Sequence, residues 1–201
     1  LSPVKGLWEI TIVDKGKKGL FYLDFSKKYI LRGPIFEIKS GADKTLEHLA
    51  KIPESKKVDF SRIPLENALV MGNSKATYKA AVFTDPDCPY CGTLHQEMEK
   101  AVQERKDIAF YIILFPLRIH KEAYWKSQSI LCYRSLKMLE DAFLHKPIPK
   151  PICDSKEIDA NIKLAESLGI TGTPTLVLAD GKVYTGTIPA KQLIDLIQGS
   201  R

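Results

Sequence analysis

The chain has 201 residues, 44% hydrophobic and 27% charged, the balance of a folded globular protein and not of a disordered one. Its net charge of +6 comes from 30 Lys and Arg scattered among 24 acids, with no basic stripe interleaved with aromatics, which argues against a nucleic-acid-binding face. The longest apolar run, residues 108–117, is strand-sized and far short of the ~20 residues that span a bilayer.

Apolar and polar residues alternate over 8–13, 20–25, 29–31 and 35–38, with turns around 15–19 and 26–28. This pattern predicts a small antiparallel sheet in residues 1–40. A unit of about forty residues buries too little surface to be stable alone, so pairing of strand edges with a second copy is expected. Residues 43–51 predict a short helix and the polar stretch 53–62 a hinge, so 41–66 reads as a helical linker ahead of a domain at 67–201. In that domain, TYKAAVFT (77–84) reads as a buried strand, followed by the polar turn Asp85-Pro86-Asp87. Downstream, Thr93 to Glu104 reads as a helix, with Leu94, Met98, Ala101 and Val102 at helical spacing. Beyond the strand at 108–117, one helix is expected over 127–144, then a proline-rich arm, KPIPKPIC. A helix over 154–168 ends at Gly169. Asp180-Gly181 is a hairpin signal between strands 175–179 and 182–187, and 190–198 closes the chain as a helix.

The chemistry lies in the cysteines. Cys88-Pro89-Tyr90-Cys91 sits between a strand and a helix, so Cys88 falls at a helix N-terminus, where unpaired N–H groups and the macrodipole favour a thiolate. Pro89 suits the first helical position. Such sites lower a thiol pKa from ~8.5 into the range of about 3.5–7.5. Cys91, three residues on, faces the same side of the first turn and can attack a mixed disulfide at Cys88. An inert bridge is the structural alternative. Cys132 and Cys153 are separated by twenty residues, and a disulfide between them would tie the proline-rich arm to the preceding helix. Two free thiols or a second redox pair are the alternatives. If the bridge forms, an oxidising compartment follows. A zinc ribbon needs two close cysteine pairs and only one exists, while His95, His120 and His145 fit no common ligand spacing, so no metal or cofactor is expected. Pro174 at the entrance of an apolar strand fits a cis Thr173–Pro174 peptide facing something other than a neighbouring strand. A plain turn before an edge strand would also account for it.

From about Ala68 onward, this order of elements resembles the thioredoxin fold. FTDPDCPYC, the LFP at 114–116, the Cys132…Cys153 spacing and GTPTLVL resemble the bacterial periplasmic disulfide isomerases DsbC and DsbG. GLWEITI and GLFYLDFSKKYILRGPIFEI resemble the small N-terminal β domain of that family, so the resemblance covers nearly the whole chain. It implies an α/β protein: a thioredoxin-like fold with a helical insertion, preceded by a small antiparallel β dimerisation domain, in a V-shaped homodimer. It also implies that Cys88 is the nucleophile and Cys91 the resolving thiol. Thr173 and cis-Pro174 would lie against the active disulfide, with the Thr173 backbone pairing with bound peptide. Tyr90, Phe115 and Leu117 become contacts for unfolded substrate. The partners implied are unfolded or misoxidised secreted proteins and a membrane reductase as electron donor, in the periplasm. The implied activity is reshuffling or reduction of wrong disulfides; a DsbA-like oxidase and a chaperone module for unfolded secreted proteins are the alternatives. Thioredoxin has a buried acid six residues before its first cysteine, but Val82 stands there in this chain, which leaves water or Asp85 to take the Cys91 proton.

Overall fold

The computed structural model describes residues 4–14, 17–51, 57–154 and 156–200. The chain divides into two compact units, Leu1–Lys56 and Lys57–Arg201. In the first, β1 (Leu7–Asp14) and β2 (Lys17–Asp24) form an antiparallel hairpin, and β3 (Ile30–Leu31) adds to β2. The strand expected at 35–38 is reduced to a single bridge between Phe36 and Asp43. Helix α1 (Lys44–Lys51) belongs to this unit and not to a separate linker. Polar contacts explain why: the buried Tyr22 hydroxyl lies 2.5 Å from Thr45 Oγ1, and His48 Nδ1 lies 3.1 Å from Glu9 Oε2.

The second unit is built on a five-stranded sheet of order β4-β6-β5-β7-β8. Strands β5 (Tyr78–Thr84) and β6 (Ile108–Leu114) are parallel and central, joined by a crossover through α2 (Pro89–Glu104). β6 is a continuous apolar run, and β5 is buried from Ala80 to Thr84, because both of their faces are covered. Ala80, Val82, Phe110 and Ile112 face one core with Leu94 and Met98 of α2. Ala81, Phe83, Tyr111 and Ile113 face the other. The edge strand β4 (Leu69–Gly72) was not evident from the pattern, being four residues long, and pairs antiparallel with β6.

The helix expected over 127–144 is two helices, α3 (Ala123–Tyr133) and α4 (Leu136–Phe143). Arg134 breaks them by adopting a left-handed conformation (φ 46°), and Ser135 caps α4 by accepting from the Met138 N–H. Arg134 is held in that break by donating to the carbonyls of Glu66 and Ala68. Helix α5 (Glu157–Ser167) begins three residues later than expected, just beyond Cys153, and Gly169 follows it with φ 72°. The hairpin β7 (Thr175–Leu178) and β8 (Val183–Thr185) turns at Gly181, and α6 (Ala190–Gln198) completes the unit. Gly181 has φ 84°, and a Cβ there would strike the carbonyl of Val58, whose N–H donates to Gly181 O at 2.8 Å. The stretch expected as a hinge thus packs onto this unit from Lys57 onward; its residues 53–56 lie outside the described residues.

Candidate active site

The connection from β5 to α2 builds the site. The Cys88 N–H donates to Asp85 O at 3.1 Å, closing a turn that delivers Cys88 as the N-cap of α2 in extended conformation. Pro89 takes the first helical position without wasting a donor. The N–H groups of Cys91 and Gly92 both donate to Cys88 O, at 3.1 and 3.3 Å, and start the helix. Buried Leu94 and Met98 anchor α2 on the sheet, each side chain contributing about 2 kcal/mol by burial. Cys88 is 5% exposed and Cys91 1%, whereas Tyr90 between them is 67% exposed.

The opposite wall comes from the segment before β7. The Thr173–Pro174 peptide is cis, and the Cys88 thiol reaches Thr173 O at 3.5 Å. Strand β7 is interior, between β5 and β8, which rules out a plain turn before an edge strand. Its ladder with β5 begins only at Thr175, so Pro174 interrupts no strand bond.

The two thiols are electrostatically opposite. Hydrogen bonding from the Cys91 thiol is the largest influence on Cys88 and lowers its pKa to about 6 from the ordinary 9.0, with further help from the N–H groups of Cys91 and Tyr90 and from Thr173. Burial pushes the Cys91 thiol up, and its hydrogen bond to Cys88 adds to the shift, so Cys91 keeps its proton through the physiological range. Alkylation of Cys88 by iodoacetamide should therefore rise through a midpoint near pH 6, with about nine-tenths of Cys88 as thiolate at pH 7, against a few per cent for an ordinary cysteine. The stability of the reduced fold should follow the same titration. A depressed pKa makes the contribution complete above pH 9 and lost as pH falls through about 6. A midpoint above pH 8 in mass-resolved alkylation would contradict both expectations.

Comparison with known proteins agrees with this geometry. Residues 65–199 match the thioredoxin-like domain family. A crystal structure of a disulfide interchange protein from Neisseria gonorrhoeae superposes with a TM-score of 0.60 at 31% identity, covering 69% of this chain and 98% of that one. The chain belongs to the thioredoxin-like disulfide interchange proteins. The probable thiol:disulfide interchange protein DsbC of Bordetella avium is 29% identical over 176 residues, 87% of this chain, and the chain spans 60% of that protein's length. The Escherichia coli thiol:disulfide interchange protein DsbC is 23% identical over 98% of this chain and 78% of its own length.

Among the residues around this interchange-protein site, Asp85 is the one whose role the sequence underrates. Its carboxylate is fully buried and accepts from the N–H groups of Asp87 (2.8 Å) and Leu117 (2.7 Å), with His120 Nδ1 at 2.8 Å. Only its backbone N–H reaches Cys91 Sγ, at 3.5 Å, so the carboxylate is committed to holding the loop after β6 and is not turned to the resolving thiol. An ion pair from Lys126 of α3 to Asp87 ties down the same turn. His120 has no partner identifiable from sequence, because the pairing spans thirty-five positions. Phe115, expected as a substrate contact, is a core residue packed edge-on against Phe83 at 6.4 Å. Leu117 is half-buried, and Ile119 in the same loop is exposed. His95 is 5% exposed and lines the same packed interior spot as Cys91, Val82 and Thr84. Burial lowers its pKa to about 4, so the ring is neutral at pH 7, and among the described residues no hydrogen bond joins it to either thiol. Cys132 and Cys153 form a disulfide with Cα atoms 5.8 Å apart, and Ser129 adds a 2.6 Å bond to Pro149 O on the bridged arm.

Proposed function

We propose that the protein is a dimeric thiol–disulfide interchange enzyme of the periplasm that reshuffles or reduces wrong disulfides in secreted proteins. The observation that carries this reading is the pairing of a low-pKa Cys88 at the tip of α2 with a buried, protonated Cys91, facing the Thr173 carbonyl beside cis-Pro174. The Cys88 thiolate attacks one sulfur of a substrate disulfide. That S–S bond breaks, a mixed disulfide forms, and the other substrate sulfur leaves as a thiolate. If a second substrate thiolate attacks the mixed disulfide, Cys88 is released as thiolate and the net result is isomerisation without redox change. If Cys91 loses its proton and attacks Cys88, a Cys88–Cys91 disulfide forms and the substrate leaves with two thiols. The second route requires a reductase to return the electrons, which we assign to a membrane partner.

Thr173 pairs through its backbone with the extended substrate chain, and exposed Tyr90 contacts apolar side chains of unfolded protein. The N-terminal unit supports dimer formation. It exposes Trp8, Phe25, Tyr29, Ile30, Leu31 and Phe36, a large apolar complement for so small a sheet. The Cys132–Cys153 disulfide supports an oxidising compartment, and no described helix is long and apolar enough to cross a membrane.

Two measurements on the full chain test the proposal together: its sedimentation mass, and reactivation of a scrambled multi-disulfide protein in a glutathione buffer. A dimer that restores native pairings is the expected result. A monomer that oxidises reduced substrate but leaves scrambled substrate inactive would establish an oxidase instead.

A further inference from the structure

Three electron-pair donors converge one helical turn beyond Cys91. His95 Nε2 is buried and has no hydrogen-bond partner. It lies 3.7 Å from Glu99 Oε1, one turn along α2, and 3.9 Å from Glu140 Oε1 on α4. The three ligand atoms lie within 4.8 Å of one another. Both separations exceed hydrogen-bond length. Lys137 approaches the other oxygen of Glu140, at 3.8 Å, but bonds more closely to Asp141 at 2.7 Å.

We infer that His95, Glu99 and Glu140 form a binding site for a divalent transition-metal ion of the zinc type. One imidazole and two carboxylates are a donor set suited to such an ion. Bonds of about 2.0–2.2 Å place neighbouring ligand atoms of a tetrahedral ion about 3.4 Å apart. The observed 3.7 and 3.9 Å require only small side-chain rotations to reach that spacing. The fourth position is open to water, since Glu99 and Glu140 are partly exposed.

The surroundings preorganise the three donors. Spacing of i,i+4 sets His95 and Glu99 on one face of α2. The Phe143 ring lies 5.3 Å from the His95 ring and fixes its plane. Gly92 lets α4 come close, because a Cβ there would meet Phe143 at 3.3 Å, and Glu140 lies one turn before Phe143 on that helix. A bound ion would cross-link α2 to α4 one turn beyond Cys91. Neither thiol is among its donors, and its existence does not depend on the proposed activity.

The test uses full-length protein with Cys88 and Cys91 joined as a disulfide, so that no thiolate competes for metal. Zinc titrated by calorimetry should bind with a one-to-one component of micromolar affinity and raise the thermal midpoint by about 5 °C at saturation. Cobalt should give the visible bands of a four- or five-coordinate ion without a sulfur charge-transfer band. Glu140→Gln and Glu99→Gln should each weaken binding tenfold or more while leaving the metal-free midpoint within about 2 °C. The inference is overturned if no zinc binds up to millimolar concentration. It is equally overturned if both variants bind as the parent does, which would place the ion at His48, His120 or His145.

Discussion

Replacing Cys88 with serine is expected to abolish mixed-disulfide formation and lower reshuffling of a scrambled substrate by at least about a thousandfold, because a neutral hydroxyl replaces the only low-pKa sulfur at the site. Cys91→Ser should behave differently. The attacking sulfur remains, so the mixed disulfide forms but is not resolved from within the protein, and it should accumulate as a covalent adduct on a non-reducing gel. Loss of the Cys91 thiol also removes the main hydrogen bond that lowers the Cys88 pKa. The alkylation midpoint of Cys88 should therefore move upward in that variant unless the new hydroxyl replaces the donor. Mass spectrometry of the trapped adduct locates the attacking sulfur. A Cys88→Ser protein that still forms adducts through Cys91 at more than a tenth of the parental rate would reverse the assigned roles.

Removing the second cysteine pair is expected to act on stability and not on chemistry. The Cys132–Cys153 bridge closes a loop with a sequence separation of 21, for which the chain-entropy model gives about 3 kcal/mol. In a chain of this size that corresponds to a fall in thermal midpoint of roughly 6–12 °C. Urea denaturation of the Cys132→Ser/Cys153→Ser double variant measures the difference directly. The double replacement avoids a lone reactive thiol on the surface. The Ser129 bond to Pro149 O keeps part of the arm in place, so Cys88 alkylation at neutral pH should change less than twofold. A stability loss under 1 kcal/mol would mean that the arm is held by its packing and not by the bridge.

Local rules carried much of this protein. Period-two alternation marks β1 and β2, and the apolar stretches at 80–83 and 108–114 announce strands buried on both faces. Pro89 after Cys88 marks a helix start, and Asp180-Gly181 marks a hairpin. Each signal operates over a few residues, which is why α6 is found at its expected bounds. Errors cluster where a distant contact overrides the local pattern. Arg134 splits the expected long helix because its guanidinium is satisfied by carbonyls at 66 and 68. Phe115 is apolar in a loop and looks like a substrate contact, until Phe83 is seen to bury it.

The sequence by itself placed the Cys88–Cys91 pair between a strand and a helix. A thiol at a helix N-terminus follows from a strand, a turn, a proline and a helix in succession, all within one contiguous stretch. Only the tertiary structure decided what surrounds that pair. Thr173 O meets Cys88 across eighty-five positions, and Asp85 engages Leu117 and His120 across more than thirty. His95, Glu99 and Glu140 converge because Gly92 admits Phe143. Hydrogen bonds and electrostatics act over a few ångströms of space, and chain folding alone sets which distant residues come within that reach.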